Sequence, residues 1–297
     1  MEKENILKKI EKLSTYFAIN EPMEQHISFK SVGMAKYFCQ MQSEKNFIKI
    51  LKLVKKSGLN YFILGNGTNT VFKNFNGIVI STKKLEKISV KKTKVYAQCG
   101  ALLINVNHEC LKHGLTGLEF SYGIPASMGG AVYNNAGAYG GEVGKYIEKV
   151  KVFDGNRVFW IKKEKLDFAY RKSFVKKNKL VVLSVLFNLS FGNKQQIQDK
   201  MFEIAKLRKQ FQPLEYPSAG SVFKRNEEII PAKIIDNLGL KGFNINDAYV
   251  SEKHAGFIIN KKSATGWDIE KLALKVQKIV KEKDGVDLQL EIEFIGE

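Results

Sequence analysis

The chain has 297 residues, 48 Lys and Arg against 30 Asp and Glu for a net charge of +18, and 44% hydrophobic residues. That length sets a prior of about two domains with room for a sizeable core, and the composition is that of a globular protein. No apolar run approaches the ~18 residues of a membrane span, and the opening MEKENILKKIEKLS lacks the unbroken apolar core of a signal peptide, so a cytoplasmic protein without membrane insertion is expected.

In chain order, the segment from Asn46 to Gly58 sets Phe47, Ile50, Leu51 and Val54 at helical spacing, with lysines opposite and Gly58 as a stop. It feeds YFILGNGTNTVF, an apolar strand that breaks into a glycine-rich turn. Short β runs follow at GIVI, KVYAQ, VKVFD, RVFWI and the longer LVVLSVLFNLS, with a helix expected from Leu102 to His113. The order is α+β rather than a regular βαβ repeat. After Ser190 a polar helix places Ile197, Met201, Ile204 and Leu207 on one stripe, as a connector between domains would. Beyond it come a turn from Pro217 to Lys224, a helix at PAKIIDNLGL, a strand at AGFIIN and a helix from Thr265 to Lys281. The terminal DLQLEIEFIGE alternates Leu288, Leu290, Ile292 and Phe294 against Gln289, Glu291 and Glu293, the pattern of a half-buried strand.

Cys39, Cys99 and Cys110 show no CxxC or CxxH spacing, so reduced buried thiols are expected. His26, His108, His113 and His254 are scattered without a carboxylate cluster, and no metal is expected. The lysines are spread along the chain without any nucleic-acid-binding motif. They read as a solvated surface, one that would also draw in an anionic small substrate.

Two stretches suit a ligand held by main chain. In LGNGTNT, Leu64 to Thr70, a turn after a strand leaves N–H groups free to converge on an anion, with Thr68, Asn69 and Thr70 as side-chain donors. A purely structural turn gives the same residues. The stretch GLEFSYGIPASMGGAVYNNAGAYGGE, Gly117 to Glu142, is rich in Gly and Ala and has no cation. Its repeated turn formers argue against one continuous Ala/Gly helix, and its bare backbone suits a long, flat, diphosphate-bearing ligand. Three further places carry polar groups: Arg171 in FAYRKS, whose planar fork suits a carboxylate; Ser218 and Ser221 flanking Gly220 in YPSAGSVFK; and Glu291 with Glu293 in the terminal strand. His254 in SEKHAGF is either a structural histidine or a polar substrate contact.

Together with QPLEYPSAGSVFKR, LGLKG, SEKHAGFIIN and GVDLQLEIEFIG, these runs come in order from about His26 to the C-terminus. They resemble the UDP-N-acetylenolpyruvoylglucosamine reductases of peptidoglycan synthesis, in the shorter type without a Tyr-bearing insertion. The resemblance implies an FAD-binding region of the vanillyl-alcohol-oxidase type in two α+β subdomains, 1–80 and 81–192, and a substrate-binding α/β domain, 193–297. It implies FAD, NADPH as reductant and UDP-GlcNAc-enolpyruvate as substrate; with no His or Cys in GNGTNT or in Gly117 to Glu142 to tether a flavin, non-covalent FAD is expected, as are a monomer and no nucleic-acid partner. FAD contacts are expected at Gly65, Asn66, Gly67, Thr68 and Asn69, and at Gly123, Ile124, Pro125, Ser127, Gly129, Gly130, Asn135, Gly137 and Ala138. Arg171 and Glu291 are implied to stabilise the enolate that forms on hydride addition, and Ser221 to protonate it. Glu291 would need desolvation to stay protonated as a donor, and Glu293, two residues along, is its competitor. Tyr170, Lys224 and His254 are expected at the substrate. Two positions depart from the family pattern: Phe211 stands where a basic residue is expected, and SFKSVG has Lys30 and Ser31 where Arg-Ile-Gly-Gly is common. A different flavin oxidoreductase of the same fold, or a basic nucleic-acid-binding protein, is the alternative reading.

Overall fold

The computed structural model of the chain describes residues 2–226 and 228–297. They form two compact units, each assembled from separate stretches: the chain up to Ala18, Phe38–Asn66 and Ile78–Leu207 in one; Ile19–Tyr37, Gly67–Gly77 and Arg208–Glu297 in the other. Compactness therefore groups the chain differently from the contiguous division at 80 and 192. Residues 19–37 and 67–77 go with the C-terminal part because hydrogen bonds hold them there. Ser28 Oγ donates to Ser218 O at 2.7 Å, Asn260 Nδ2 to Phe29 O at 3.2 Å, and Thr70–Phe72 pairs in parallel with Glu293–Ile295.

In the first unit, helix α1 (Glu2–Leu13) lies against α2 (Glu44–Ser57). The predicted stripe of Phe47, Ile50, Leu51 and Val54 is buried; Ser43 caps the helix by accepting from Asn46 N, and Gly58 ends it at φ +64°. Strand Tyr61–Leu64 pairs in parallel with Ile78–Ser81 and runs into the Gly65 turn. An antiparallel sheet follows, in spatial order Val158–Lys162, Ile147–Phe153, Val181–Asn188, Lys94–Gln98, Ile88–Lys91. Its central strand, Val181–Asn188, is buried almost throughout, Ser184 included. Helices α3 (Leu103–Lys112), α4 (Met128–Tyr133) and α5 (Phe174–Lys177) belong to this unit, with α4 packed on the central strand. Thus the Gly/Ala-rich stretch contains one short α-helix, a 3-10 turn at Glu119–Ser121 and a two-residue hairpin rather than one continuous helix. Helix α6 (Lys194–Phe211) buries Ile197, Met201 and Ile204 and contains the point, after Leu207, where one unit's residues give way to the other's.

The second unit has an antiparallel sheet ordered Ser218–Ser221, Phe257–Asn260, Ala248–Val250, Asn244–Ile245. Helix α7 (Pro231–Asn237) carries Pro231 in its first turn, and α8 (Gly266–Asp284) opens on a capping box between Thr265 and Asp268. A Cβ on Gly266 would sit 2.1 Å from Phe72 O, so only glycine lets α8 start so close to the strand Thr70–Phe72.

The terminal strand differs from the expectation. Only Glu293–Ile295 is strand, while Leu290 forms an isolated antiparallel bridge with Phe223. The segment changes partner, from antiparallel to parallel, and the backbone must bend at Ile292 to do so. Glu291 and Glu293 therefore do not sit on one face of a continuous strand, and the alternation marks two short pairings rather than one.

Candidate active site

The two glycine-rich stretches meet at the C-terminal end of strand Tyr61–Leu64. Asn66 Nδ2 donates to Pro125 O at 2.7 Å, and a Cβ on Gly65 would lie 2.1 Å from Ser127 Oγ. Ser127 caps α4, accepting from Gly130 N at 3.5 Å. Several N–H groups of this stretch are already used. Ile124 N donates to Ser121 O, and Gly129 N to Cys99 O at 2.7 Å. Among the described residues, the N–H groups of Gly65, Asn66, Gly67, Thr68, Gly123 and Ser127 are without a protein acceptor.

Asn135 is fully buried at φ +44°, and its side chain is consumed by the protein: Nδ2 donates to Glu142 Oε2 at 2.7 Å and to Ala169 O at 3.0 Å, and Oδ1 accepts from Gly144 N at 3.0 Å. Gly137 and Ala138 pair with Gly141 and Glu142 across a turn whose Tyr139 and Gly140 have φ of +49° and +80°, as a type I′ turn requires.

Arg171 sits at the tip of a tight turn. Ala169 and Lys172 exchange N–H···O bonds of 3.3 and 2.9 Å, leaving Tyr170 and Arg171 between them. Arg171 has φ +55°, a left-handed conformation that costs a non-glycine residue and marks a position held by something other than local preference. Its Cζ lies 4.8 Å from the Tyr170 ring centroid, and Nη2 donates to Gly137 O at 3.3 Å. The Asn135 bond to Ala169 O anchors the base of this turn.

In the second unit, Ser218 and Ser221 face Ile259 and Phe257, so three steps on one strand match two on the other. Gly220, at φ +78°, absorbs the extra residue as a bulge, which turns the exposed Ser221 outward. The next residues pair with the C-terminal segment: Glu291 N donates to Val222 O at 2.7 Å and Lys224 N to Gln289 O at 2.8 Å. Ser221, Lys224 and Glu291 are thus brought onto neighbouring segments. His254 joins them through Phe257, whose ring it meets edge-on at 4.9 Å, and its Nδ1 accepts from Gly256 N at 3.2 Å. Burial pushes its imidazole below the usual histidine range, with Lys241 adding to the shift. Phe211 is exposed at the end of α6, Ser31 is buried, and Lys30 has φ +50° with its carbonyl accepting from Asn260 Nδ2 at 3.1 Å.

Residues 35–157 match the FAD binding domain family, and residues 212–295 match the C-terminal domain of UDP-N-acetylenolpyruvoylglucosamine reductase. The UDP-N-acetylenolpyruvoylglucosamine reductase of Clostridium novyi is 45% identical over 278 residues, 93% of this chain and 91% of its own; that of Caldanaerobacter subterraneus is 42% identical over 282 residues, 94% and 93%. The chain belongs to the UDP-N-acetylenolpyruvoylglucosamine reductase family. Among solved structures, the reductase from Thermus caldophilus superposes with a TM-score of 0.79 at 29% identity, over 95% of this chain and 98% of that one. The mixed helix and strand content is the α+β class expected for an FAD-binding region followed by this family's C-terminal domain.

The residues present suit the FAD that this reductase family carries. The run of unused N–H groups from Gly65 to Thr68 suits an anionic diphosphate, and the Thr70 hydroxyl beside it is buried without a protein partner. Sequence reasoning missed what Asn69 does. Its Nδ2 donates to Glu291 O at 3.1 Å and its own carbonyl accepts from Glu293 N at 2.9 Å. Nothing in a GNGTNT string signals a partner more than 200 positions away. The left-handed backbone of Arg171 had no local signal either, since arginine is not a turn former.

Proposed function

We infer that this chain reduces the enolpyruvyl group of UDP-N-acetylglucosamine-enolpyruvate to the lactyl ether of UDP-N-acetylmuramate, a step of peptidoglycan precursor synthesis. The observation that carries this reading is identity above 40% to reductases of that name over more than nine-tenths of the chain. When bound, FAD supplies the hydride chemistry, with NADPH as the reductant. Neither Leu64–Thr70 nor Gly117–Glu142 contains a His or Cys to tether a flavin, which favours non-covalent binding.

The protein's own residues manage charge and the proton. Arg171 meets the negative charge that builds toward the substrate carboxylate. Its planar, permanently charged fork suits an oxyanion. Glu291 stabilises the same developing charge, and Ser221, turned outward by the Gly220 bulge, gives the proton at C2. Tyr170, Lys224 and His254 line the substrate side. A monomer working in the cytoplasm, with functional divisions at 1–80, 81–192 and 193–297, completes the proposal.

Ser221→Ala tests it. The flavin of this variant should still be reduced by NADPH at the wild-type rate while substrate turnover falls about 10²–10⁴-fold, the usual worth of a positioned acid. Equal slowing of both half-reactions would remove Ser221 from the proton-donor role.

A further inference from the structure

Glu291 occupies a joint. Just before it, Leu290 is bridged to Phe223 in antiparallel pairing; just after it, Glu293–Ile295 pairs in parallel with Thr70–Phe72. A backbone that changes partner has no ladder of its own at the change, so its carbonyl and amide need other partners. The amide is satisfied by Val222 O at 2.7 Å. The carbonyl is satisfied by a side chain, Asn69 Nδ2 at 3.1 Å. Asn69 then accepts from Glu293 N at 2.9 Å through its main-chain oxygen, so one residue brackets the joint from both sides.

We propose that Asn69 is a positioning residue for Glu291: it fixes the peptide plane on which the glutamate side chain is mounted. This role takes the place of the cofactor contact expected of Asn69, since its side-chain amide is spent on Glu291 O, and it rests on the reading of Glu291 given above. An asparagine suits the task because its side-chain amide donates to a carbonyl while its own main-chain oxygen accepts from Glu293 N. Aspartate has the same shape but no donor, and would set a negative oxygen against the Glu291 carbonyl.

The test uses the full-length, FAD-loaded enzyme with Asn69→Ala, Asn69→Asp, Asn69→Ser, Glu291→Gln and the double variant Asn69→Ala/Glu291→Gln. Three quantities are read: FAD affinity from flavin fluorescence, the rate of flavin reduction by NADPH, and the rate of reoxidation by the enolpyruvyl substrate. The inference expects Asn69→Ala to leave FAD affinity and reduction within about twofold of wild type while reoxidation slows tenfold or more. Asn69→Asp should be slower still, and Asn69→Ser, which keeps a donor on a shorter stem, should recover part of the rate. In the Glu291→Gln background, Asn69→Ala should cost less than twofold more, because its effect passes through the same glutamate. Losses that multiply in the double variant overturn the inference, as does a fall in FAD affinity and reduction together, which would make Asn69 a cofactor contact. If Glu291→Gln alone leaves reoxidation unchanged, the catalytic reading of Glu291 fails, and that result is visible without any Asn69 variant.

Discussion

Replacing Arg171 by Asn separates what this residue does for the fold from what it does for the reaction. Its φ of +55° costs an ordinary side chain about 1 kcal/mol, a penalty that Asn largely escapes. Against that gain stands the loss of a 3.3 Å hydrogen bond to Gly137 O, worth about 0.5–1 kcal/mol, and of the cation–π contact at 4.8 Å with Tyr170, worth about 0.5–1 kcal/mol at an exposed site. The terms nearly cancel. Net stability should move by no more than about 1 kcal/mol, a Tm shift of about 2–4 °C. Turnover should behave differently, because removing a donor aimed at developing charge costs on the order of 10²–10³ in kcat. Thermal unfolding followed by circular dichroism, beside steady-state NADPH oxidation, reads both numbers on one preparation. Arg171→Lys serves as the control that keeps charge but not the fork, and it should fall between. A Tm drop above about 8 °C with a matching loss of activity would make Arg171 structural. A loss below tenfold at unchanged Tm would remove it from the chemistry.

Other consequences follow from packing and burial. A valine at Gly129 has its Cβ 3.2 Å from both Cys99 Cβ and Cys99 O, so α4 or the Cys99 backbone must give by a few tenths of an ångström; FAD affinity measured by fluorescence should weaken at least tenfold, and an unchanged affinity would mean that α4 does not hold the cofactor. The depressed His254 means that the folded chain binds fewer protons than the unfolded chain below about 6.5, so stability falls as pH drops through that window. His254→Gln should flatten the fall of Tm between pH 7 and pH 5, and an identical slope would show that His254 is not its source. Burial pushes all three thiols up to about 12, so Cys39, Cys99 and Cys110 should resist a thiol reagent in the native protein at pH 8 and all react after denaturation. Fast labelling of any one in the native state would contradict their burial.

The helices that announced themselves did so through side-chain periodicity and caps. For α2, the buried stripe and the Gly58 stop are both visible in the string. For α8, Thr265 and Asp268 stand three apart before an apolar stripe, and both make their capping bonds. The Gly/Ala stretch was legible as main-chain-rich, yet its amides divide into those bound within the protein, such as Gly129 N to Cys99 O, and those left over, as at Gly65 to Thr68. That division depends on which carbonyls the fold brings near. The terminal segment was misjudged because alternation of apolar residues reports burial on one side, not identity of the pairing strand. Leu290 and Phe294 alternate correctly while facing Phe223 and Val71 in opposite directions of pairing. For the same reason the part played by Asn69 was invisible: its partner is a carbonyl, and every residue has one.

The central claim is that this chain carries electrons from NADPH to an enolpyruvyl ether through bound flavin, and an anaerobic absorbance titration tests it most directly. The purified protein should be yellow, lose its flavin band near 450 nm on adding one equivalent of NADPH, and regain it on adding UDP-N-acetylglucosamine-enolpyruvate. A flavin that bleaches but is not reoxidised by that substrate, or a protein that takes up no flavin at all, would contradict it.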